Sequence, residues 1–168
     1  MRKLLLIGPG GSGKSTLAAA MAARTKLPLV HLDTIFWHAG WVETPREEWT
    51  RTVEDLIQAD AWIMDGNYGG TLDRRLAACD GVVFLDMPTY LCAWRILRRR
   101  WQFQGRSRPN MAEGCPEKLG LDFVYWVLTY RHRRRPAILA KLRLARAAGK
   151  HVVVLTSRRD VQAFLAAL

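Results

Sequence analysis

At 168 residues, 49% of them apolar, the chain can bury one substantial core and is too short for two. No apolar run approaches the roughly 20 residues of a membrane span, and a glycine-rich stretch from Gly8 interrupts the N-terminal apolar run, which argues against a secretion signal. Cys79, Cys92 and Cys115 are widely spaced, which argues against a disulfide frame or a paired-cysteine zinc site and suits a reducing cytoplasm. The net charge of +11 raises a nucleic-acid hypothesis, but the excess is uneven. Arg95, Arg98, Arg99, Arg100, Arg106 and Arg108 form one cluster, and Arg131, Arg133, Arg134 and Arg135 a second. The first has a ready use in bidentate phosphate contacts. The second reads as a solvated helix end, with a nucleic-acid backbone as the open alternative.

In chain order, Lys3-Leu4-Leu5-Leu6-Ile7 is an apolar run that predicts a buried strand. Gly8-Pro9-Gly10-Gly11-Ser12-Gly13-Lys14-Ser15-Thr16 follows, and an alanine-rich helix former comes next. Strand, glycine loop and helix N-terminus are the parts of a phosphate-binding loop. The amides of Gly8, Gly10, Gly11, Ser12, Gly13 and Thr16 turn inward around an anion, Lys14 bridges the β- and γ-phosphates, and the Ser15 hydroxyl ligates Mg²⁺. A nucleoside triphosphate with magnesium is the expected ligand. A short β-run over residues 27–32 ends at Asp33, and Thr44-Pro45-Arg46-Glu47-Glu48 opens a helix expected to reach Ala59. Ala61-Trp62-Ile63-Met64 predicts a third strand ending at Asp65-Gly66, and Gly81-Val82-Val83-Phe84-Leu85 a fourth ending at Asp86-Met87-Pro88. An arginine-rich helix over 89–104, a polar loop over 105–110, two helices within 117–148, a strand over 151–155 and a closing helix over 159–168 complete the pattern. Near-continuous apolar strands separated by helices mean a parallel sheet covered on both faces: one α/β domain spanning 1–168.

Asp86-Met87-Pro88 followed by Arg95 and Arg99 resembles the adenylate kinases, in which an Asp-x-Pro turn leads into a helix with two arginines four residues apart. The resemblance implies that Arg95 packs on the nucleotide base and Arg99 touches phosphates, and the i, i+4 spacing puts both on one helix face. Met64-Asp65-Gly66 resembles the strand-end Asp-Gly of those kinases, whose carboxylate helps hold Mg²⁺. Over nearly its full length, through His31-Leu32-Asp33, Trp37, Gly40-Trp41, residues 62–68 and residues 108–116, the chain looks like the bacterial DNA topology modulation, or FlaR-like, proteins. That resemblance implies a P-loop NTPase three-layer sandwich of nucleotide-kinase type, with five parallel strands in the order 2-3-1-4-5 and a helical lid over about 98–118. One departure stands out: nucleotide kinases follow their Asp-Gly with Phe-Pro-Arg, whereas Asn67-Tyr68-Gly69 stands here, so Arg74 or Arg75 would have to grip an acceptor phosphate.

Asp33 falls at the carboxyl end of a strand, where open α/β sheets place their ligands, and small-molecule kinases such as shikimate kinase use an acid there for the acceptor hydroxyl. It is the candidate base; an N-cap is its plainer reading. Asp65 is the candidate metal support and Asp86 reads as a turn former. Trp37 and Trp41 with Phe36 form either core or a stacking platform, and Arg106 and Arg108 read as lid arginines. The expected function is transfer of the ATP γ-phosphoryl group to a small acceptor, with a nucleotide or nucleoside ahead of a sugar or hydroxy acid. A nucleic-acid-associated ATPase and a nucleotide sensor without an acceptor are the competing classes.

Overall fold

The computed structural model describes residues 1–105 and 110–168. Strand β1 (Lys3–Ile7) leads through the glycine loop into helix α1 (Lys14–Thr25). Strand β2 (Leu29–His31) runs directly into a short helix α2 (Leu32–Phe36), and a two-stranded hairpin follows, β3 (Trp37–His38) and β4 (Val42–Glu43). Helix α3 (Arg46–Gln58), strand β5 (Trp62–Asp65), a 3-10 turn over Gly69–Thr71 and helix α4 (Leu72–Ala78) come next. Strand β6 (Gly81–Leu85), helices α5 (Thr89–Gln102), α6 (Leu121–Arg133) and α7 (Arg135–Ala147), strand β7 (His151–Leu155) and helix α8 (Arg158–Ala166) complete the chain.

The main sheet is parallel throughout, in the order β2-β5-β1-β6-β7. Counting only its own strands, this is the expected 2-3-1-4-5. Alternation across the pleat explains the unbroken apolar runs. Leu4 and Leu6 pack with α1, α5 and α6 on one face, while Leu5 and Ile7 pack with α4 and α7 on the other. All three cysteines are buried and unpaired. Burial raises the Cys79 thiol pKa and pushes that of Cys92 up to about 11. No helix among the described residues is long and apolar enough to cross a membrane.

With β1 at the centre, the carboxyl ends of β1, β2, β5 and β6 open on one edge of the sheet. The glycine loop, Asp33, Asp65 and Asp86 gather there, where the crevice of an open α/β sheet lies.

Candidate functional site

The glycine loop is held from three sides. Gly11 has φ +76°, and a Cβ there would lie 2.4 Å from the Cys92 carbonyl oxygen; only glycine fits. At Gly10 a Cβ would meet the Phe123 ring at 2.6 Å, so α6 packs directly on the loop. From α5, the Arg95 guanidinium donates to the carbonyls of Gly11 (3.2 Å) and Ser12 (2.9 Å). Lys14 donates through Nζ to the Pro9 carbonyl at 3.1 Å. Burial lowers its pKa, opposed by the charges of Asp65 and Asp33, which places all three groups in one electrostatic neighbourhood.

The third attachment comes from the turn after β5. Asn67 accepts from the Gly8 amide at 3.0 Å and donates to the Gly8 carbonyl at 2.6 Å, an amide paired on a peptide. The turn is itself braced by Arg75 from α4, which is fully buried and donates to the carbonyls of Gly66, Asn67 and Tyr68. Burial lowers the Arg75 pKa to about 10. Neither arginine of α4 is therefore spare for an acceptor phosphate: Arg75 lies beneath the turn, and Arg74 pairs with Glu54 at 2.8 Å.

Asp65 is buried, with Oδ2 3.1 Å from His31 Nδ1 and Oδ1 without a hydrogen-bond partner. Burial works to raise its pKa, but the hydrogen bond to His31, the Lys14 charge and the Ser15 hydroxyl outweigh it and hold the carboxylate below its ordinary value. Asp33 sits in the first turn of α2 rather than at a strand end. Its Oδ1 accepts a 2.6 Å hydrogen bond from the Tyr68 hydroxyl. Burial, with the Asp33 charge, drives the Tyr68 pKa far above that of a free phenol, so the ring oxygen stays a donor. Tyr68 holds a left-handed backbone, φ 33°, and its ring packs on Phe36 (4.8 Å) and Trp49 (4.8 Å), which also meet each other at 5.1 Å.

One cavity of about 1200 Å³ joins these groups. At one end are the glycine loop, Arg95, Arg158 and Leu165; at the other are Asp33, Tyr68, Trp37, Trp41 and Lys118. Trp37 and Trp41 meet edge-on at 5.3 Å and both line the cavity, whereas Phe36 belongs to the core with Leu32 and Trp49. Residues 110–118 dock on the β3-β4 hairpin: Gly40 donates to the Gly114 carbonyl, Trp41 Nε1 to the Pro116 carbonyl and Cys115 Sγ to the His38 carbonyl. Arg99 enters the cavity paired to the buried Glu117 at 2.8 Å. Arg106 and Arg108 lie outside the described residues. Asp86 is more than a turn former, because Arg135 from the second arginine cluster grips it through Nε and a second nitrogen at 2.7 Å.

Among the described residues no cluster of three or more His, Cys, Asp or Glu could hold a metal. A cation therefore needs oxygens beyond the side chains, such as those of a phosphate. The orphaned Oδ1 of Asp65 beside the Ser15 hydroxyl fits such an ion, which prefers hard oxygen donors and keeps several waters.

No family model and no curated protein matches the chain, so the topology-modulation resemblance gains no support from either. Solved structures do match. A shikimate kinase from Acinetobacter baumannii, in complex with shikimate, aligns over 99% of this chain and 90% of its own with a TM-score of 0.61 at 16% identity. A shikimate kinase from Bacteroides thetaiotaomicron aligns over 98% and 94% with a TM-score of 0.56 at 13% identity. The fold is that of the P-loop kinases. Sequence reasoning named the glycine loop, Asp33, Asp65, Arg95 and Arg99, and all of them line this cavity. It missed Asn67, Tyr68 and Arg75 as a unit. The available signal was the Asn-Tyr-Gly departure itself, where Asn67 pairs with Gly8 and Tyr68 with Asp33.

Proposed function

We propose that this protein is a kinase that transfers the γ-phosphoryl group of Mg-ATP to a hydroxyl of a small acceptor, acting as one domain over 1–168. The observation that carries the reading is the single cavity holding the phosphate loop at one end and the Asp33–Tyr68 pair against a tryptophan wall at the other. The amides from Gly8 to Thr16 and Lys14 hold the phosphates. Ser15 and Asp65 hold Mg²⁺, which when bound offsets the charge on the β- and γ-oxygens. Arg95 stiffens the loop from behind, and Arg99 brings a second guanidinium to the phosphates. Tyr68 fixes one Asp33 oxygen, so the other is free to orient the acceptor hydroxyl and take its proton. Positioning and fixed charge supply the rate.

For the acceptor, the commitment of Arg74 and Arg75 elsewhere weighs against a nucleoside monophosphate held at this turn. Together with the shikimate bound by one structural neighbour, it moves hydroxy acids ahead of nucleotides. The test is ADP release from Mg-ATP against a panel of hydroxy acids including shikimate, sugars, nucleosides and nucleoside monophosphates. One acceptor should raise release well above the water-driven background. Lys14→Ala should abolish turnover. Asp33→Asn should retain ATP binding yet lose on the order of 10²–10⁴ of acceptor-dependent rate. A flat panel, or an Asp33→Asn enzyme as fast as wild type, refutes the reading.

A further inference from the structure

Asp65 is held by a side chain that does not itself reach the cavity. His31 is the last residue of β2 and Asp65 the last of β5. The parallel register sets them side by side, so both side chains leave the sheet on the same face. His31 Nδ1 meets Asp65 Oδ2 at 3.1 Å, with the imidazole partly exposed and the carboxylate buried. Asp65 lines the cavity and His31 does not. Whatever His31 does for the site, it does through Asp65.

The backbone around this pair is built to hold it. Gly66, directly after Asp65, has φ +150°, and a Cβ there would lie 2.9 Å from the Leu32 Cβ. The turn after β5 therefore packs on the β2-α2 junction with no room for a side chain. Leu32 is fully buried, and the Thr34 hydroxyl donates to the His31 carbonyl at 2.7 Å, closing the first turn of α2 on His31. Within His31-Leu32-Asp33 the first side chain thus reaches Asp65, the second anchors the junction and the third reaches the acceptor end of the cavity.

We propose that His31 is a positioning residue for the cation that accompanies the triphosphate: its Nδ1–H donates to Oδ2 and leaves Oδ1 as the one oxygen Asp65 offers. The inference rests on the Mg-ATP reading of the cavity. An ionised carboxylate only accepts hydrogen bonds, so Nδ1 carries the proton. With Oδ2 committed, Oδ1 is buried and has no hydrogen-bond partner. A single oxygen suits an ion that keeps several of its waters. Outer partners that orient a metal-supporting group change metal affinity by about 10- to 100-fold.

Calorimetric titration of ATP, once with EDTA and once with excess Mg²⁺, separates this role from a structural one. The quantity read is the factor by which Mg²⁺ tightens ATP binding. His31→Leu and His31→Asn are nearly equal in size, and only the asparagine keeps a donor. His31→Leu should bind metal-free ATP as wild type does and lose on the order of 10- to 100-fold of the Mg²⁺ factor. His31→Asn should recover most of it. A leucine variant that keeps the full factor overturns the proposal, as does an asparagine variant no better than the leucine one. Equal weakening of the leucine variant with and without Mg²⁺ shows a packing role and overturns it too. In the wild type, the ¹⁵N spectrum of the His31 ring should show Nδ1 protonated; a ring protonated on Nε2 alone overturns the proposal without any variant. A wild type that binds ATP no tighter with Mg²⁺ sinks the Mg-ATP reading and this proposal with it. A wild type that shows the factor leaves that reading standing whichever way the His31 variants behave.

Discussion

Replacing Arg75 by methionine keeps the apolar stem of the side chain and removes the guanidinium that braces the turn after β5. Three donated hydrogen bonds disappear, to the carbonyls of Gly66, Asn67 and Tyr68. Bonds from a charged donor contribute about 1.5–3 kcal/mol each, so three contribute about 4–9 kcal/mol. Against this stands the burial that lowers the Arg75 pKa to about 10, a depression worth about 3 kcal/mol of disfavoured charge. The sign is consistent: a cation whose pKa falls on folding opposes folding at neutral pH, so methionine relieves that part. The net loss is about 1–6 kcal/mol. At about 2–4 °C per kcal/mol for a chain of this size, a mid-range loss of about 4 kcal/mol lowers Tm by about 10 °C. Thermal unfolding followed by circular dichroism measures it, and calorimetric titration of Mg-ATP into the folded variant should show weaker binding as the Asn67 clamp loosens. A variant that melts within about 2 °C of wild type and binds ATP equally well would show that the turn holds itself, and the reasoning fails.

Two further outcomes follow from other contacts. Asn67→Ala removes both bonds to Gly8; at about 0.5–1.5 kcal/mol apiece and about 2–4 °C per kcal/mol, Tm should fall by about 2–12 °C and ATP should bind more weakly in calorimetry, and a variant unchanged in both would refute the clamp. Ser157 and Asp160 form a capping box at the start of α8, and hydrogen bonds from Thr156 and Ser157 hold the Asp160 carboxyl at about 2. Because this pKa is depressed by folding, its support for α8 is complete above the usual carboxylate range and is lost as pH falls through about 2. Carbon-detected NMR titration should place the midpoint there, and a midpoint near 4 would refute the box.

The sheet was legible because the central strands β1, β5 and β6 are buried on both faces and so read as unbroken apolar runs, and the edge strand β7 keeps the same apolar pattern; residues 81–85 and 151–155 match to the residue. The loop was legible because its chemistry needs glycines at fixed spacing. The β3-β4 hairpin was not, since two-residue strands carry no period, and α2 was hidden because its five residues follow β2 without a break. Asp33 accordingly stands in the first turn of a helix instead of at the strand end, yet on the same edge of the sheet. Arg75 escaped because its partners are backbone carbonyls, which leave no trace in side-chain spacing. Arg135 escaped because it reads as one of a run of arginines, and only the fold brings it to Asp86.

The three buried thiols set the terms on which this protein can be watched. Thiolate is the species that reacts with maleimides, and with Cys92 near 11, Cys79 raised and Cys115 enclosed, the native surface offers such reagents no sulfur. A dye pair placed by Arg51→Cys on α3 and Gln102→Cys at the end of α5 would label without any background substitution. The distance between α3 and the end of α5 could then be followed in solution as Mg-ATP is added.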